Sequence, residues 1–161
     1  MLAAAAVWAL FLGGCARHPH VLETHQLTVY YCKGGTAALV PLRFVVDSKL
    51  NEQQLAAFAV NQLLSGPSAL GNDVVLFPGG TRATVSVSGG TATVDLSGSV
   101  ADGFHGGTSE ETAMFKSLTY TLTGLPDVKN VKVLVKGQSV AALPGGQFAL
   151  DEPLTRDTFA Q

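Results

Sequence analysis

The side chains of this chain that can carry chemistry are two cysteines, four histidines, an acid inside an apolar strand and an arginine near the end. A cysteine nucleophile acts as its thiolate, which needs a neighbouring histidine or cation to lower the pKa. Cys32 has only Lys33 beside it, and it closes the alternating stretch Leu27-Thr28-Val29-Tyr30-Tyr31-Cys32. It reads as a small apolar residue of a half-buried strand. His18, His20 and His25 include no pair at the one-turn spacing of a helical metal site, and they lie in a polar stretch that fixes no geometry. That stretch is expected to be a solvated spacer with no metal. His105-Gly106-Gly107 offers backbone amides of the oxyanion-hole kind, yet the chain has no Gly-x-Ser-x-Gly, Ser-x-x-Lys, His-Glu-x-x-His or phosphate-loop motif to complete a site. No catalysis and no cofactor are expected, and the loop is read as flexible. Asp95 and Ser97 lie in Val94-Asp95-Leu96-Ser97. A carboxylate within an alternating strand must face water or accept hydrogen bonds from a neighbouring loop. Latching of the Gly-rich loop that follows is the expected role, with ligand binding as the alternative. Arg156 can clamp an acidic group, although a solvated tail or a structural ion pair is the plainer reading.

The elements that must position these residues belong to one modest domain. The 161 residues are 47% hydrophobic and 14% charged, a globular rather than a disordered composition. Twelve acids against ten bases leave a net charge of -2, with no Lys/Arg cluster to neutralise phosphates, so nucleic acid is excluded as a partner. Two cysteines exclude a disulfide scaffold and a four-thiolate zinc site.

Leu2 to Leu12 is an unbroken apolar run of eleven residues. A bilayer-spanning helix needs about 20. Gly13-Gly14-Cys15 follow, and then the chain turns polar at Ala16-Arg17-His18-Pro19-His20. This arrangement resembles the lipobox of bacterial lipoproteins, in which the cysteine thiol is alkylated with diacylglycerol and the peptide before it is removed. The resemblance implies a signal peptide over 1–14, lipid on Cys15, and attachment to the outer side of the cytoplasmic membrane or to the outer membrane. Met1 to Gly14 contains no Lys or Arg, which a signal peptide carries at its start. A start codon assigned too far downstream is the expected reason. Residues 15–26 then read as a lipidated tether, whose stretch from Ala16 to Gln26 reaches at most about 36 to 40 Å.

Beyond the tether, alternation predicts strands at Leu27 to Cys32 and Ala38 to Val46, with Pro41 marking the second as an edge or a bulge. Asn51 and Gln54 form a capping box for a helix whose apolar face is Leu55, Phe58, Ala59 and Leu63, stopped by Gly66-Pro67. Ala83 to Ser88 and Thr91 to Leu96 flank Gly89-Gly90 as a hairpin, with Val85, Val87, Ala92, Val94 and Leu96 on the core face. Thr108 and Glu111 read as the capping box of a second helix, with Met114, Phe115, Leu118 and Leu122 buried and Gly124 and Pro126 ending it. Val131, Val133 and Val135 alternate with Lys132, Leu134 and Lys136, predicting a strand with one face toward water. A turn at Lys136-Gly137 and a last strand near Ser139 to Leu143 complete the order.

Seven pieces of this sequence stand in the order seen in one family. They are Leu63-Leu64-Ser65-Gly66-Pro67, Phe77-Pro78-Gly79-Gly80-Thr81, Val94-Asp95-Leu96-Ser97, Gly106-Gly107-Thr108-Ser109-Glu110-Glu111, Tyr120-Thr121-Leu122-Thr123-Gly124-Leu125-Pro126, Val128 to Gly137, and Glu152-Pro153-Leu154-Thr155-Arg156. The chain resembles the GerMN domain of sporulation and spore germination, over residues 27–156, with 157–161 as a tail. That resemblance implies an α/β (α+β) fold, a two-layer sandwich of a mixed sheet and two helices. Its αββαβ core is like that of ring-building motifs, with extra strands.

Two functions remain open. One is a non-catalytic envelope module that meets a protein partner or copies of itself through sheet edges and helix faces, with Lys132 and Lys136 on the outward face of the last core strand. The other is a binder of a small envelope ligand or cell-wall fragment, in a pocket framed by the Gly103 to Gly107 loop and Asp95.

Overall fold

The computed structural model describes residues 23–67 and 73–160. β1 (Thr24–Lys33) buries Leu27, Val29 and Tyr31, as its alternation demands, and it starts inside the segment read as tether. It pairs antiparallel with β2 (Leu39–Asp47), from Thr24↔Asp47 to Cys32↔Leu39, and on its other side with the two-residue β3 (Val74–Val75). The order β2-β1-β3 puts β2 on an edge. Pro41 is tolerated there because its missing N–H takes no bond from the ladder.

A second sheet has the order β4-β5-β6, formed by β4 (Thr81–Ser88), β5 (Thr91–Gly98) and β6 (Asn130–Val135). Gly89 and Gly90, at φ 58° and 81°, turn the hairpin between β4 and β5. The register Val85↔Val94 and Val87↔Ala92 sets the expected residues on one face. β5 and β6 run parallel, which demands a crossover. The short α2 (Ser99–Asp102) and the long α3 (Thr108–Leu122) supply it.

In α1 (Glu52–Ser65) the capping box forms as predicted, with Asn51 Oδ1 accepting from Gln54 N and Gln54 Oε1 from Asn51 N. Its buried residues are Ala56, Ala59, Val60 and Leu63, so Leu55 and Phe58 fall on the margin of the apolar face rather than its centre. The stripe Met114, Phe115, Leu118 and Leu122 of α3 is fully buried. Contacts run from α1 to β4 and β1, and from α3 to β1 and β6, so both helices touch both sheets. The αββαβ core is thus α1, β4, β5, α3 and β6, and the extra strands form a sheet of their own. Among the described residues no helix is long and apolar enough to cross a membrane.

Two local expectations are corrected. The N-cap of α3 is Gly107, whose N–H is held by Glu110 Oε2 at 3.1 Å, one residue earlier than the predicted Thr108 and Glu111. Thr108 Oγ1 donates to Gln147 Oε1 instead. No strand forms at Ser139 to Leu143. After the bridge between Val135 and Gln138, the backbone of this segment bonds to loops, with Phe104 N donating to Pro144 O and Leu150 N to Ala141 O.

Candidate functional site

Asp95, on β5, presents its Oδ1 to the N–H of Gly137 at 2.8 Å. It does latch a loop, but the loop is the Lys136-Gly137 turn after β6, because β6 is the strand paired beside it. The expected Gly103 to Gly107 loop lies elsewhere. Ser97 Oγ makes one long bond, to Arg82 O at 3.5 Å. Arg156 donates through Nε to Thr123 Oγ1 at 3.0 Å and through Nη2 to the carbonyls of Tyr120 and Thr123, and stands 5.0 Å over the Tyr120 ring. It therefore caps the carboxyl end of α3, where carbonyls lack helical partners. Asp95, Ser97 and Arg156 do not converge on one site. Lys132 is exposed on β6 as expected, whereas Lys136 sits in the turn at φ 51° and pairs with Asp102 at 2.8 Å. That pair holds the Asp102 carboxyl below its ordinary range. Cys15, His18 and His20 lie outside the described residues. His25 is an exposed residue of β1.

An open cleft of about 780 Å³ lies between Gly34, Val75, α2, the Gly103 to Gly106 loop and the start of α3. Asp102, His105 and Glu110 line it, and Asp95 does not. Asp102 is paired with Lys136, Glu110 caps α3, and the Ser99 hydroxyl donates to Gly79 O at 2.7 Å. His105 is exposed at its mouth. Cys32 is buried away from water, and that burial raises its pKa against smaller opposing effects of Ser117 and Lys116. Its thiol is an inert strand residue. Among the described residues no cluster of His, Cys, Asp or Glu has metal-binding geometry.

The sheet edges are treated unequally. On β4, the side chain of Gln53 from α1 imitates a neighbouring strand, with Nε2 donating to Val85 O and Oε1 accepting from Val87 N at 2.9 Å. On β6, Leu154 exchanges both backbone bonds with Val131. Ser48 N donates to Glu23 O, which continues the bonding of even-numbered residues toward β1. The N–H groups of Arg43, Val45 and Asp47 consequently point outward, on the side where Pro41 has none to offer. Among the described residues nothing pairs with that edge. Val45 is 71% exposed on it, flanked on the same face by Arg43 and Asp47. Pro41 signalled this edge in the sequence, whereas nothing local signalled Gln53.

One buried acid escaped sequence reasoning. Glu111, only 1% exposed, accepts at Oε2 from the N–H groups of Gln147 and Phe148, at 2.7 and 2.9 Å. It pins the carboxyl-terminal loop to α3, and Phe148 there stacks on Phe115 and Phe159.

Comparison with known proteins fits this architecture. The Germane family, described as sporulation and spore germination, matches residues 28–141. The spore germination protein GerM of Bacillus subtilis (strain 168) is 31% identical over 142 residues, covering 83% of this chain and 37% of that protein. The chain thus spans just over a third of that relative's length. Among solved structures, the first GerMN domain of the Bacillus subtilis sporulation protein GerM superposes with a TM-score of 0.62 at 23% identity, covering 83% of this chain and 99% of that one. A candidate lipoprotein of Clostridium perfringens gives a TM-score of 0.59 at 21% identity, covering 85% and 91%. The fold of those structures is the fold described above, and by the family match this chain belongs to the Germane family of sporulation and spore germination domains.

Proposed function

We propose that this chain is a membrane-tethered, non-catalytic module of the cell envelope that acts by protein–protein contact or self-assembly. Lipid on Cys15 holds it on the outer side of the cytoplasmic membrane, in keeping with the likeness to the Clostridium perfringens candidate lipoprotein. The observation that carries the reading is the open edge of β2. Its outward N–H groups and exposed Val45 form a ready template for another strand. Asp95, Glu111 and Arg156 are spent on structure. β1 runs ten residues from the tether toward the cleft at Gly34, a distance of about 30 Å. Thr24, where β1 begins, and β2's carboxyl end share one pole of the domain, and the cleft occupies the other.

The test is complementation of a deletion strain. Cys32→Ala and His105→Ala, separately and together, should restore the envelope phenotype once folding is verified. Loss of function in a folded His105→Ala variant would favour the second reading, a small ligand or cell-wall fragment in the 780 Å³ cleft. That reading also requires thermal stabilisation by added muropeptide, because a ligand that binds only the folded state raises its stability.

A further inference from the structure

We propose that the outer edge of β2 pairs with the same edge of a second copy of this chain, antiparallel about a twofold axis at Val45. The proposal rests on the protein-contact reading above and names the partner. An isologous contact requires a surface complementary to itself, and this edge is one. With Val45 opposite Val45 of the second copy, Arg43 falls opposite Asp47 and Asp47 opposite Arg43. All three residues project on the exposed face of β2. Neither charge has an ion-pair partner among the described residues, where the one salt bridge is between Lys136 and Asp102. Cross-strand pairs of opposite charge favour a register, and like charges directly opposite disfavour it.

The backbone agrees with that register. Residues 43, 45 and 47 carry the outward N–H groups, so Val45 and its symmetry mate form a hydrogen-bonded pair and exchange both bonds. Asp47 N–H then faces the Arg43 carbonyl of the other copy. Pro41 ends the usable edge on one side, and on the other the Asp47 carbonyl turns to accept from Leu50 N. Register slips in either direction lose bonds and bring Arg43 or Asp47 against an uncharged residue.

The membrane attachment is also satisfied. Thr24, where β1 begins, is paired with Asp47, two residues from the axis. With a strand rise of about 3.4 Å and a spacing of about 4.8 Å, the two copies of Thr24 stand about 20 Å apart. Cys15 lies nine positions before Thr24, a reach of about 30 Å, so both tethers attain one bilayer. Confinement to that surface raises the effective concentration, which lets a short ladder suffice.

The experiment uses the full chain in its own membranes with Val45→Cys as a reporter. A hydrogen-bonded antiparallel pair has Cα atoms about 5.5 Å apart, inside the range of about 4.4 to 6.8 Å that a disulfide spans. Cys32 is buried, and Cys15 carries its lipid on the reading above. Mild oxidation should give a disulfide-linked dimer at least tenfold more abundant than with Ser86→Cys, an exposed position on β4. Adding Arg43→Asp or Asp47→Arg alone should reduce that dimer at least fivefold. Co-expression of the two charge variants, distinguished by epitope tags, should restore it as a mixed dimer, which also shows that both variants are folded. Equal crosslinking at positions 45 and 86, or a dimer indifferent to either reversal, would overturn the proposal. Crosslinking of position 45 to a different protein, without a dimer, would overturn self-pairing while leaving the protein-contact reading in place. No adduct of any kind would overturn both.

Discussion

Replacing Glu111 by alanine should loosen the domain at a point that carries no surface signal. The carboxylate is 1% exposed, and its Oε2 holds two backbone N–H groups, at 2.7 and 2.9 Å. Each hydrogen bond to a charged group is worth about 1.5 to 3 kcal/mol net. The cost of burying the charge, relieved in the variant, offsets part of the sum. Glu111→Ala is therefore expected to cost about 3 kcal/mol, with Phe148 leaving its stack on Phe115 and Phe159 as the loop detaches. For a domain of this size that is a fall in Tm of about 10 °C. Glu111→Gln keeps an acceptor of the same shape but loses the charge, and charge-assisted bonds are roughly twice as strong as neutral ones, so about half that cost is expected. Glu110→Ala removes one exposed capping bond to Gly107 N and should cost about 0.5 to 1 kcal/mol. Urea unfolding followed by circular dichroism measures all three. A Glu111→Ala variant within 1 kcal/mol of the parent, or no less stable than Glu110→Ala, would refute the latch.

Four further variants have expected outcomes. Leu118→Ala, mid-stripe on α3 and 1% exposed, should cost about 2 to 5 kcal/mol. Lys116→Ala should cost little, since it loses an ammonium contact to Ala37 O and a 6.0 Å approach to the Tyr120 ring, neither in the core. Burial pushes the Tyr31 hydroxyl up to about 12, from an unfolded value near 10. A raised folded pKa means that the contribution is complete below pH 10 and is lost as pH climbs from 10 to 12. Tyr31→Phe should abolish that alkaline decline and cost about 1 kcal/mol at pH 7, since Gln62 O keeps Gly66 N–H as a donor. Cys15→Ser should shift the protein from the membrane to the soluble fraction of lysed cells, because stable attachment needs the lipid chains. Unchanged sedimentation with membranes would contradict lipidation.

Features set by neighbouring residues were legible in the sequence. The Gly89-Gly90 hairpin, the Asn51 and Gln54 box and the α3 stripe each depend on spacings of a few residues, and each forms where that spacing puts it. What depended on the partner across space was not legible. Asp95 was recognisable as a latch, but its loop was set by which strand lies beside β5, a choice made by the parallel crossover. Glu110 and Glu111 are adjacent acids at a helix start, and either reads as the cap. Only the packing of residues 147 and 148 sends the second inward. Arg156 shows no periodic pattern to mark it as a helix cap, since Thr123 and Tyr120 reach it only through the fold. Ser139 to Leu143 is a short apolar stretch after a turn, enough to read as a strand, yet among the described residues no neighbouring strand pairs with that backbone after the Gln138 bridge.

Amide hydrogen exchange of the full chain in its own membranes, compared with the chain diluted in detergent, tests most directly that the open edge of β2 is the working surface. Arg43, Val45 and Asp47 have outward N–H groups that exchange freely unless a strand covers them, whereas Phe44 and Val46 are bonded to β1 in either state. The expected result is protection of the peptide spanning Leu42 to Asp47 in membranes, by at least the two amides of Val45 and Asp47 relative to detergent, with the Gly103 to Gly106 loop unchanged. Equal exchange of β2 in both preparations, together with new protection of the cleft loop, would contradict the docking function and place the activity in the cleft.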